Sequence, residues 1–166
     1  MGLDMYLEKE IYLGGYYTNH TILPFTNKYN NNIIQIDLND KTIHKIVFEV
    51  LYWRKANAIH KWFVDNVQNG TDDCSRYWVD KEKLEQLLNV CKQVLEIYEN
   101  NNLSPEEKEE KISSLLPTQK GFFFGTYDYD DWYITDIKET IAVLEEEIKS
   151  SDFKNNEYSY YYQSSW

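Results

Sequence analysis

Between Asp80 and Asn100 the apolar residues Leu84, Leu87, Leu88, Cys91, Val94, Leu95 and Tyr98 recur at i, i+3 and i+4, the spacing that puts them on one stripe of an α-helix. This is a core helix. Asp80 is a suitable N-cap and Asn100-Asn101-Asn102 a stop. A second such stripe, Ile134, Ile137, Ile141, Leu144 and Ile148, follows the acidic-aromatic stretch Tyr127 to Tyr133. Its end carries Glu145-Glu146-Glu147, three carboxylates against the negative pole of the helix dipole, so fraying is expected there. Between the two, Ser104-Pro105-Glu106-Glu107 has the form of a capping box with proline at the first helical position, opening a short acidic helix to about Leu116 that Pro117 closes.

Elsewhere the period is two. Leu3, Met5 and Leu7 alternate with polar neighbours as in a half-buried strand, and Gly14-Gly15 is expected to end it. Residues 16–32 show no period and read as a long loop, with a short strand around Ile22 to Phe25. Ile33 to Leu38, the pair Asn39-Asp40 and Thr42 to Leu51 form a hairpin signal, whose second strand places His44, Ile46, Phe48 and Val50 on one face. From Tyr52 to Gln68 the stripe Tyr52, Ala56, Ile59, Phe63 and Val67 predicts a helix ended by Asn69-Gly70. Trp62 projects away from that stripe, close to Lys55, which points to a sandwiched helix or to self-association. Gly121-Phe122-Phe123-Phe124-Gly125 reads as a buried strand. With 166 residues, the expected fold is α+β: a small antiparallel sheet packed with about four helices, residues 1–150 forming a single domain. Residues 151–166 form a polar-aromatic tail, an edge strand or a mobile end.

Charge narrows the function. Seventeen Lys and Arg against 28 Asp and Glu give a formal charge of −11, which opposes direct nucleic-acid binding through a broad basic face. No apolar run approaches the roughly 20 residues of a membrane span. Met1 to Met5 has neither the basic nor the apolar region of a secretory signal, so the cytoplasm is the expected location. Cys74 and Cys91 lack paired or metal-ligand spacing; Cys91 falls on a core stripe and Cys74 in a polar loop. Fifteen lysines accompany only two arginines, Arg54 and Arg76, and each adjoins an aromatic residue. Such arginines point to a need for a planar fork or for ring stacking.

Three groups could carry chemistry. Trp53, Arg54, Lys55, Asn57, His60 and Lys61, read on one helix, combine a stacking surface, a guanidinium, an amide and an imidazole, the groups that hold a base and a ribose-phosphate. The competing reading is an amphipathic helix with a core Trp and solvated charges. The second group is Gln119 and Phe123 within Leu116 to Gly125, where flanking glycines permit close backbone approach to a ligand or to a neighbouring strand. Asp128, Asp130 and Asp131 could meet a hard cation, but the glycine and terminal Glu of a calcium loop are missing, and N-capping by Asp130 or Asp131 is the simpler role. Phosphate-loop, nucleophile-elbow, zinc-hydrolase and dinucleotide patterns do not occur in the sequence. His60 reads as a packing histidine; hydrolysis by His60 with Asp72 or Asp73 is the alternative.

In Gly2-Leu3-Asp4-Met5-Tyr6-Leu7, in the run Tyr52-Trp53-Arg54-Lys55-Ala56-Asn57-Ala58-Ile59-His60-Lys61-Trp62-Phe63, and in Leu115 to Gly125 followed by Tyr129 to Tyr133, the chain resembles a family of small bacteriophage and prophage proteins. The resemblance spans most of residues 1–145; the Asn-rich inserts and the Tyr-rich tail depart from it. It implies a viral or prophage origin and supplies no catalytic residues; because small phage proteins often counter host defence, an anti-defence role in the host cytoplasm is the expectation. The expectation is therefore a sponge that sequesters a nucleotide-derived immune signal of cyclic nucleotide or ADP-ribose type, without catalysis or cofactor. Its ligand-binding residues would be Trp53, Arg54, Asn57, His60, Lys61, Arg76, Gln119, Phe123 and Trp132. The alternatives are an acidic inhibitor that binds a host defence protein such as a CRISPR complex, through Glu106 to Glu110 and Glu139 to Glu147, and a nucleotide-processing enzyme. A homo-oligomer is a further possible assembly.

Overall fold

The computed structural model describes residues 2–17, 25–26, 33–34 and 43–166, with side chains for 2–12 and 43–166. Two compact units result, one of residues 1–9 with 48–166 and one of residues 10–47. The architecture is α+β. Strand β1 spans Asp4–Tyr17, β4 Ile43–Arg54, β5 Tyr77–Val79 and β6 Ser159–Ser165, and together they form a four-stranded antiparallel sheet in the order β4-β1-β6-β5. Helix α1 spans Asn57–Asn66, α2 Lys81–Glu99, α3 Pro105–Leu115, α4 Asp131–Lys149 and α5 Ser151–Lys154. In the smaller unit β2 (Phe25–Thr26) pairs antiparallel with β3 (Ile33–Ile34), Phe25 opposite Ile34. Of the expected Ile22 to Phe25 strand only Phe25 is described, in β2; residues 22–24, most of the 16–32 loop, the Asn39-Asp40 turn and His20 lie outside the described residues.

Strand alternation explains the core. Leu3, Met5 and Leu7 are fully buried, as are Tyr160 and Tyr162 of β6, while the intervening Tyr6 and Tyr161 lie on the opposite face. Tyr160 pairs with Val79 and Tyr162 with Tyr77 across the β5–β6 ladder. On the helical side Phe63 of α1 stacks on Tyr162 at 3.9 Å between ring centres, 7° from parallel. Helix α2 contributes Leu84, Leu87, Leu88, Cys91 and Val94, and α4 contributes Ile134, Ile137 and Leu144, to the same cluster. The caps follow the sequence: the Asp80 carboxylate accepts from Glu82 N, Asp130 from Tyr133 N, and Ser104 with Glu107 closes a reciprocal capping box. No helix among the described residues is long and apolar enough to cross a membrane.

Several elements differ from expectation. Strand β1 runs through Gly14-Gly15 to Tyr17. Tyr52, Trp53 and Arg54 belong to β4, and α1 starts only at Asn57. Trp62 is buried, edge-on to Phe63, so it offers no self-association surface. The 121–125 segment is a turn: Phe122 is 94% exposed and Phe124 is the ring in the core. The tail supplies β6, an interior strand rather than an edge or a mobile end. The carboxylates closing α4 do not leave it frayed, because Glu145 pairs with Lys92 and Lys149 and Glu147 pairs with Lys9.

Candidate functional site: a mixed-charge cavity beside Trp132

The change from β4 to α1 takes place in two residues, and that economy creates the site. Lys55 adopts φ 63°, a left-handed conformation uncommon outside glycine, asparagine and aspartate. It is held by its N–H donating to Leu3 O at 2.8 Å and its carbonyl accepting from Asn57 N at 2.8 Å. Such enforced conformations persist where the surroundings fix them. Gly125, at φ +86°, lies against Lys55, where an added Cβ would come within 3.1 Å of the Lys55 Cβ. Only glycine suits that approach. Buried Asn57 ties the same loop down: its Nδ2 donates to Phe124 O at 2.9 Å and Thr126 O at 2.7 Å, and its Oδ1 accepts from Gln119 N at 3.1 Å.

Bounded by this junction, the loop after Pro117 and the first turns of α4 is a cavity of about 370 Å³, within the roughly 300–1,000 Å³ typical of small-ligand sites. Ala56, Ile59 and Ile137 give it an apolar lining, and Trp132, 77% exposed, stands with it. Its cations are Arg54 and Lys55, neither of which forms an ion pair with a described residue. Its carboxylates are Asp128, Asp130 and Asp136. Asp130 is engaged in capping α4, whereas the Asp136 carboxylate makes no hydrogen bond with a described residue. Burial, reinforced by Glu139 and Asp130, pushes the Asp136 carboxyl up to about 7, so near neutrality it exchanges between acid and carboxylate.

His60 belongs to a different environment. Its ring is 0% exposed; Nδ1 lies 2.8 Å from the Tyr162 hydroxyl and Nε2 lies 3.0 Å from Asp72 Oδ2. Asp72 also accepts from Gln119 Nε2 at 3.2 Å and from Trp166 Nε1 at 3.0 Å. Burial lowers the His60 pKa, the Asp72 contact opposing that shift, and a neutral ring donating from Nε2 and accepting at Nδ1 satisfies both neighbours. The His60–Asp72 pair anticipated for hydrolysis does form, but packed against Phe124 and Tyr162 it presents no ring atom to solvent.

Of the nine expected ligand residues, then, Arg54, Asn57 and Trp132 meet at the cavity. His60 and Gln119 join the Asp72 network. Trp53 is buried, its indole N–H donating to Thr140 Oγ1 at 2.8 Å. Arg76 pairs with Glu8 at 3.0 Å and lies over the Tyr161 ring at 3.6 Å. Lys61 pairs with Asp65 one helical turn on, and Phe123 packs against the core from the 121–125 turn. The single-helix projection that joined these groups fails because Trp53 and Arg54 are strand residues, where neighbours point to opposite faces. Compared with protein families, curated proteins and solved structures, the chain matches none. The cavity is therefore read from its own chemistry. Lys55 belongs to the Trp53–Lys61 group read from sequence but not to the nine expected ligand residues, and Asp136 belongs to neither. Asp136 sits beside the inward Ile137 on an apolar stripe, a signal that was present; a left-handed lysine has none.

Proposed function

We propose that the chain is a small-molecule binding protein that holds a nucleotide-derived ligand in the cavity beside Trp132. The observation that carries this reading is the convergence of two cations lacking an ion-pair partner among the described residues with an exposed indole at one concave site. Arginine and lysine pair phosphate oxygens. An indole face stacks on a base, an interaction worth about 1–3 kcal/mol. The resemblance to phage proteins makes sequestration of a nucleotide immune signal the biological form of this reading.

The test is calorimetric titration of the full chain with nucleoside monophosphates, cyclic nucleotides and ADP-ribose, followed by chromatography of the released ligand. Saturable binding and recovery of the intact compound support sequestration; a new product would show turnover instead. Arg54→Ala is expected to weaken binding at least tenfold and leave Tm within a few degrees, since its exposed side chain anchors no ion pair among the described residues. Unaltered affinity in that variant removes Arg54 from the site.

A further inference from the structure

Resting on that reading, we propose that Asp136 reads the base of the ligand and that the base is guanine. The argument is an inventory of uncommitted polar groups around the cavity. Asn57 has spent its amide hydrogens and its oxygen on the loop backbone. The Thr118 hydroxyl donates to Tyr127 O, and the Tyr133 hydroxyl donates to Leu116 O. Asp130 accepts from Tyr133 N. What remains for a ligand is donors on Arg54, Lys55 and the Trp132 indole, the Thr126 hydroxyl, and the carboxylate acceptors of Asp128 and Asp136, of which Asp136 alone is half-buried. A base edge that meets Asp136 must therefore offer donors to a carboxylate.

Guanine does so with N1–H and N2–H₂ side by side, matching the two oxygens of one carboxylate. Adenine and cytosine present a donor next to an acceptor, which a carboxylate answers by half. Hypoxanthine keeps N1–H but lacks the exocyclic amine. Stacking on Trp132 supplies affinity without discrimination, because every base has a π face. Asp136, half-buried on α4, can discriminate, because a polar group left unpaired in a partly desolvated site is costly.

The charged groups around Asp136 are Arg54 and Lys55 from the β4–α1 junction, Asp128 and Asp130 from the loop before α4, and Glu139 on α4 itself. With its carboxyl at about 7, Asp136 is mostly ionised at pH 8 and mostly protonated at pH 6. Guanine selectivity belongs to the ionised form and should shrink as pH falls.

Titration of the full chain with GMP, IMP and AMP at pH 8 and pH 6 tests this. The three share one phosphate, so its own titration cancels in their affinity ratios. The expected result is GMP at least tenfold tighter than IMP and AMP at pH 8, a smaller ratio at pH 6, and loss of the preference in Asp136→Asn, which should bind AMP more tightly than the parent because an amide answers adenine's donor and acceptor together. AMP binding as tightly as GMP at pH 8, or GMP preference surviving in Asp136→Asn, overturns the guanine assignment while the nucleotide reading stands. Failure of all three to bind at either pH overturns the guanine assignment, and failure of the cyclic nucleotides and ADP-ribose as well overturns the nucleotide reading.

Discussion

The Tyr162 hydroxyl holds one nitrogen of a ring that has no access to water. Its replacement in Tyr162→Phe keeps the Phe63 stack and strands His60 Nδ1, at a cost of about 1–3 kcal/mol. Thermal unfolding should register that as a Tm lowered by roughly 2–10 °C; a variant as stable as the parent would mean that the nitrogen finds another partner. Asp136 is the opposite case, a side chain whose burial is unfavourable in its charged form. Its folded pKa lies above the unfolded value, so the folded chain holds the extra proton, and stability falls as pH rises from about 4 through about 7. Asp136→Asn removes that loss. The variant should gain stability over the parent progressively between pH 5 and pH 8, reaching on the order of 1 kcal/mol, or a few degrees in Tm, after allowance for partial solvation. A pH-independent difference would contradict the assigned burial.

Among the elements, the 121–125 turn is the most open to test, since three consecutive phenylalanines have three environments. Phe124→Ala should cost about 3–5 kcal/mol, because it empties a core position against His60. Phe122→Ala should change chemical denaturation midpoints hardly at all; equal losses at both positions would restore the buried strand. That strand was a plausible reading of Gly-Phe-Phe-Phe-Gly, since hydrophobicity alone does not separate a short strand from a turn that buries one ring. The helices α2, α3 and α4 were legible because period and cap agree at Asp80, Ser104 and Asp130. The β4–α1 junction was not. Tyr52, Ala56, Ile59 and Phe63 fit a helical stripe, yet Trp53 is inward and Arg54 outward by strand alternation, and nothing in a lysine announces a left-handed backbone. In β6 the alternation was hidden by composition: Tyr160, Tyr161 and Tyr162 look alike in sequence, and only the sheet tells inward rings from the outward one.

At the scale of the molecule, acidity and anion binding are compatible because the cations are local. Of 17 basic residues, Arg54 and Lys55 are placed together at a concave site by a strand and its turn into α1. An anionic ligand still approaches against a field of net charge −11, which slows encounter, more so for a polyanion than for a small anion. The charge balance thus favours a small ligand with one phosphate-bearing end over a long one. Five tryptophans report separately on where such a ligand lands: Trp53 and Trp62 are buried, Trp78 is 57% exposed on β5, Trp166 contacts Asp72, and Trp132 stands at the cavity. An NMR titration of the indole N–H signals with GMP should move the Trp132 resonance and leave that of Trp78 in place. A saturating shift at Trp78 with Trp132 still would place binding on another surface, and no shift at any indole would contradict the cavity as a nucleotide site.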